Sequence, residues 1–96
     1  MVRWIVARFS PDRVFLFGSH ATGRATADID IDLLVVMPVK RSKAEQEVAI
    51  LKSLREYQVP KDVIVTTPED FTWRKTVPGT IERPADREGR VLYERR

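Results

Sequence analysis

Three aspartates alternate with apolar residues in the stretch Asp28-Ile29-Asp30-Ile31-Asp32-Leu33-Leu34-Val35-Val36. In an extended strand, residues i and i+2 share a face and lie about 6–7 Å apart. Asp28, Asp30 and Asp32 are therefore expected to point one way, while Ile29, Ile31, Leu33 and Val35 face the core. A row of like charges at that spacing is unfavourable by itself. A cation between them removes the penalty, and oxygen donors without His or Cys suit Mg²⁺ or Mn²⁺. A lone Asp-x-Asp could equally be a solvated strand end, so the residues around it decide what it means.

Upstream, the apolar run Val14-Phe15-Leu16-Phe17 closes with Gly18-Ser19, and ten residues separate that pair from Asp30. A Gly-Ser pair at a strand end can offer backbone N–H groups and a hydroxyl to phosphate oxygens, and a following helical turn would add its dipole. A phosphate cradle and metal carboxylates on adjacent strands are the two halves of a site for a metal-bound nucleoside triphosphate. Two other motifs fail. Gly18 to Gly23 has the glycine spacing of a P-loop, but Arg24-Ala25 stands where Lys-Ser/Thr is required. Asp28-x-Asp30-x-Asp32 begins like a calcium loop, but Leu33 replaces the required glycine and Val39 the closing glutamate.

The residues LFGSHATGRATADIDIDLLVV, with Gly18-Ser19, the ten-residue spacing and Asp30-x-Asp32, resemble the signature of the polymerase-beta-like nucleotidyltransferase superfamily. Their wording and the short chain resemble its smallest branch, the minimal nucleotidyltransferases, and the ending PGTIERPADREGRVLYERR is similar to that family's tail. The resemblance implies a third metal-site acid on a later strand, where Asp62 stands in Lys61-Asp62-Val63-Ile64-Val65. It implies that Asp30, Asp32 and Asp62 hold two divalent ions, Mg²⁺ or Mn²⁺, and carry catalysis. Gly18 and Ser19 would bind the triphosphate of ATP. The family often has arginines where this chain has His20 and Thr22, which leaves Arg24 as the candidate cation of the loop. His20 and Asp28 receive no catalytic role.

The implied reaction moves AMP from ATP onto a hydroxyl of a partner protein. In that branch the partner resembles a HEPN-domain RNase toxin whose tyrosine is modified, which makes the transferase an antitoxin within a hetero-oligomer. A different class of function is a non-catalytic antitoxin that neutralises its partner by contact alone. A third is a basic nucleic-acid-binding domain, suggested only by the pI near 9.6.

The elements that must position these residues follow from periodicity. Residues 2–9 read as a short helix ended by Ser10-Pro11, and 14–17 and 29–37 as strands. Residues 19–27 read as a turn. Ser42-Lys43-Ala44-Glu45 fits a capping box that opens a helix to about Tyr57, with Ala44, Val48, Leu51 and Leu54 inward. Residues 62–66 and 90–94 read as strands, and 69–77 and 81–88 as helices. Strand-to-helix crossovers of this length permit parallel pairing. The expected fold is α/β (α+β): a small mixed sheet with helices packed on it, the polymerase-beta-like nucleotidyltransferase fold, as one domain over residues 1–96.

Composition bounds the rest. The 96 residues are 43% hydrophobic and 32% charged, a globular balance. No cysteine and one histidine exclude a disulfide framework and argue against structural zinc. No apolar stretch is long enough for a membrane span, so the expectation is a cytoplasmic protein that avoids membranes. The net charge of +3 is spread evenly: seven Lys/Arg against six acids in residues 1–48, and ten against eight in 49–96. Direct nucleic-acid binding is not expected from so dispersed a pattern.

Overall fold

The computed structural model describes residues 1–17, 31–57 and 61–95. Its elements are α1 (Val2–Phe9), β1 (Arg13–Phe17), β2 (Ile31–Val36), α2 (Lys43–Ser53), β3 (Lys61–Thr66), α3 (Pro68–Arg74), α4 (Glu82–Glu88) and β4 (Arg90–Glu94). They form a mixed four-stranded sheet in the order β3-β2-β1-β4. β1 pairs antiparallel with β2 and β4, and β2 pairs parallel with β3. This is the small α/β fold expected from the sequence.

β2 is central and covered on both faces. Leu33 and Val35 join Ile5, Ile50, Leu54, Val63 and Val65 in one core. Leu34 and Val36 join Phe15, Phe71 and Ala85 in a second. The sequence pattern assigned only the Leu33/Val35 face to the core. The other face is also sealed, because α3 and α4 fold over it, and a strand buried on both sides reads as a continuous apolar run. Phe15 stacks on Phe71 with ring centroids 5.2 Å apart, which fixes α3 over β1.

α2 starts as its capping box requires: the Ser42 hydroxyl accepts from the Glu45 N–H at 3.1 Å. Its end and inner face differ from the sequence reading. The regular helix stops at Ser53, because the Leu54 N–H is shared between Ile50 and Leu51 carbonyls and Arg55 bonds back to Lys52, a tightened last turn. The inward stripe is Glu47, Ile50, Leu51 and Leu54, while Ala44 and Val48 are exposed. Glu47 belongs on that stripe because β3 is an edge strand. Its outward Val65 N–H needs an acceptor, and the Glu47 carboxylate takes it at 2.8 Å.

α3 opens with the Thr67 hydroxyl accepting from the Asp70 N–H at 3.1 Å and Pro68 at its first position. It gives way after Arg74 to a tight turn that ends in Pro78-Gly79, with Gly79 at a φ of +90°. The Lys43 ammonium, 2.6 Å from Asp70, joins α2 to α3. That bond, with the Trp73 indole N–H, holds the Asp70 carboxyl below its ordinary range.

Glu82, only 4% exposed, ties three elements together. Its Oε2 accepts from the Thr66 hydroxyl at 2.8 Å and from Arg74 Nε at 2.9 Å. Burial pushes its pKa up, but the bonds from Thr66, its own backbone N–H and Arg74 outweigh burial and hold it below the usual 4.5. Its contribution to stability is therefore complete above that value and is lost as pH falls through the lower, folded-state pKa. Glu82→Gln should cost about 1–3 kcal/mol at neutral pH, the scale of a hydrogen bond to a charged group. Its melting temperature should also fall less steeply below about pH 4.5 than the parent's. Parallel acid profiles in thermal unfolding would contradict this assignment.

Candidate active site

Parallel pairing sets β2 and β3 side by side with both starting at the same end of the sheet. The register places Ile31 beside Lys61 and Asp32 beside Asp62. Because the register is zero-offset, the two aspartates lie on one face, the face of Leu34, Val36 and Ile64. Adjacent strands run about 4.8 Å apart, so the two carboxylates leave neighbouring backbones toward the same side. In the antiparallel direction Phe17, the last residue of β1, stands opposite Asp32. Phe17, Asp32 and Asp62 thus form one row across three strands.

Further along, the same face is closed by Phe71 and Ala85, but at this row it opens: Asp32 is half-buried and Asp62 exposed. The strand entrance is anchored by Lys61, whose Nζ donates to the Tyr57 carbonyl at 2.6 Å. α4 closes against β1 at Gly89, where a Cβ would sit 3.0 Å from the Leu16 carbonyl oxygen and closer still to that of Ala85. Only glycine permits that approach.

Of the sequence-derived candidates, the structure brings Asp32 and Asp62 together. Gly18, Ser19, His20, Arg24, Asp28 and Asp30 lie outside the described residues. Gly18 and Ser19 directly follow Phe17 in the chain, and Asp30 precedes Ile31. Among the described residues, no three His, Cys, Asp or Glu side chains gather closely enough to hold an ion. The two aligned carboxylates are hard oxygen donors, with no His or Cys beside them among the described residues, and they fit a Mg²⁺ or Mn²⁺ site that a third carboxylate completes.

Residues 2–87 match the nucleotidyltransferase domain family. The chain belongs to that family. Its fold is similar to the crystal structure, at 1.40 Å, of a candidate nucleotidyltransferase from Sulfolobus solfataricus. The TM-score is 0.66 at 21% identity, over 98% of this chain and 74% of that one. No curated protein matches this chain. Family and fold together place this nucleotidyltransferase domain in the polymerase-beta-like superfamily.

Two positioning residues escaped the sequence reading. Glu47 was hidden because an inward stripe is usually sought among apolar residues. Its place three, four and seven residues before Ile50, Leu51 and Leu54 was the available signal. Glu82 carried no such signal, because Thr66 and Arg74 are brought to it only by the fold. Among the described residues, no helix is long and apolar enough to cross a membrane.

Two like charges in register on neighbouring strands repel. Asp62→Asn should therefore raise the melting temperature of the metal-free protein slightly, on the scale of the ~0.2–1 kcal/mol assigned to cross-strand pairs. Differential scanning calorimetry in the presence of a chelator reads this directly. A lower melting temperature for the variant would show that Asp62 is held by favourable contacts instead.

Proposed function

We propose that this nucleotidyltransferase domain moves AMP from ATP onto a hydroxyl of a partner protein, with Asp30, Asp32 and Asp62 as its catalytic carboxylates. The observation that carries the reading is the zero-offset pairing of Asp32 with Asp62 on the open part of one sheet face. A divalent cation bound between the two carboxylates would offset their mutual repulsion. Asp30, two residues before Asp32 in the sequence, supplies the third donor, as the family resemblance implies. Two Mg²⁺ ions held by these residues would neutralise triphosphate charge and lower the pKa of the acceptor hydroxyl.

The chain's own residues do the remaining work. Asp62, the exposed member of the pair, receives the proton of the acceptor hydroxyl. The hydroxyl oxygen bonds to the α-phosphorus as the bond from that phosphorus to the α–β bridging oxygen breaks, and pyrophosphate leaves. Gly18 and Ser19 donate to the phosphate oxygens, with Arg24 as the cation of the same loop. Further along the same face, buried Leu34 and Phe71 back the carboxylate row with packed apolar side chains. By resemblance, the acceptor is a tyrosine of a HEPN-domain RNase toxin, which makes this chain the antitoxin of the pair, acting in the cytoplasm.

The test is a label-transfer assay with Mg²⁺ and ATP labelled at the α- or the γ-phosphate, using the protein encoded beside this one as acceptor. Label from the α- but not the γ-position, reduced at least 10²-fold in Asp32→Asn, is the expected result. Label from γ alone would mean phosphoryl transfer and overturn the reading. Tight binding without any label would replace it with neutralisation by contact.

A further inference from the structure

α1 turns its apolar side inward: Ile5 is fully buried, and Val2 and Phe9 pack on the same core. Trp4 is left on the outer surface, 37% exposed, next to Tyr57 with the same exposure. These two aromatic residues line a cavity of about 210 Å³. A second groove of about 420 Å³ adjoins it and is walled by Trp4, Arg8, Lys52 and Arg55. The Arg8 guanidinium lies 4.3 Å above the Trp4 ring centroid, so the indole is held in place before anything binds. Among the described residues, Glu56 is the one acid on either wall, against three cations.

The surface combines a pre-set aromatic pocket with a basic rim, and Trp, Tyr and Arg are the residues that most often dominate protein interfaces. Its charge selects the occupant. A second copy docked on this same patch would set Arg8, Lys52 and Arg55 against their own equivalents, which like-charge repulsion opposes. A lipid surface would need the apolar side of α1, which the core already uses. An acidic protein surface carrying one apolar anchor satisfies both the pocket and the rim.

Position adds the role. The Tyr57 carbonyl accepts from Lys61, the residue before Asp62, so the groove reaches the strand end that carries the carboxylate row, from the opposite face of the sheet, and a partner seated there must wrap around that end to present its hydroxyl. We propose that the Trp4–Tyr57 groove, rimmed by Arg8, Lys52 and Arg55, is the docking surface for an acidic protein that carries the acceptor hydroxyl. The acceptor role rests on the transfer reading above, whereas docking itself does not.

Calorimetric titration of the purified neighbour-encoded protein into the wild-type chain, Trp4→Ala, Arg8→Glu/Arg55→Glu and Trp73→Ala separates the two. Trp73, 53% exposed on α3, is the control for loss of any surface tryptophan. Trp4→Ala and the double charge reversal should each weaken binding at least tenfold, and Trp73→Ala less than twofold. Affinity of the wild type should fall as salt rises. In the label assay, the charge reversal should raise KM for the acceptor with kcat within twofold. Absence of wild-type binding, or affinity unchanged in both groove variants, would overturn the docking surface. So would an equal loss in Trp73→Ala. Failure of the transfer reading appears separately, as groove-dependent binding with no label moved.

Discussion

The structure depends on one costly juxtaposition: two aspartates set side by side, in register, on adjacent parallel strands. Register in a sheet is decided by which side chains the faces can bury, and a slip of one residue would exchange the faces of a whole strand. Here Leu33 and Val35 pair with Val63 and Val65 on one side, and Leu34 with Ile64 on the other. Those apolar pairs lock Asp32 beside Asp62 although the two charges repel. The burial of the strands further along offsets the repulsion at their open end.

The supports of β3 serve the same end. As an edge strand it could shift or pair with another chain, and an unmet Val65 N–H would invite either. Glu47 takes that N–H from α2, and Glu82 takes the Thr66 hydroxyl from α4. A carboxylate from each side of the sheet thus holds the two final residues of β3, while the Lys61 ammonium, bonded to Tyr57, holds the first. The strand that carries Asp62 is fixed at both ends, so the carboxylate can stay exposed without being loosely placed. A short α4 that ends at Gly89 brings the chain close enough to β1 for β4 to complete the sheet.

Much of this was legible in the residues themselves. The helix over 2–9 and the strand over 90–94 stand where periodicity puts them, and among the described residues the strands around Phe15, Val35 and Val63 need one residue of adjustment each, residues 29 and 30 lying outside those described. The length of the crossover permits the parallel pairing that β2 and β3 adopt. The errors share a cause. Periodicity of apolar residues alone rotates the inner stripe of α2 because it leaves out Glu47, and alternation from the aspartates gives β2 one buried face although its unbroken run Leu33-Leu34-Val35-Val36 is what a strand covered on both sides shows; what is not local is that α3 and α4 do the covering. Both are settled by contacts distant in sequence. The carboxylate pair was legible in part: alternation gives the face of Asp32, but only the register brings Asp62 beside it.

The central claim is that the Asp32–Asp62 row is a metal site rather than a solvated strand end. Crystals grown with Mn²⁺ and a non-hydrolysable ATP analogue, measured at the manganese absorption edge, test it most directly. The account predicts anomalous peaks at bonding distance, about 2.0–2.3 Å, from carboxylate oxygens of both Asp32 and Asp62, lost in Asp32→Asn. Manganese bound elsewhere on the chain, or none beside these residues with the analogue present, would contradict it.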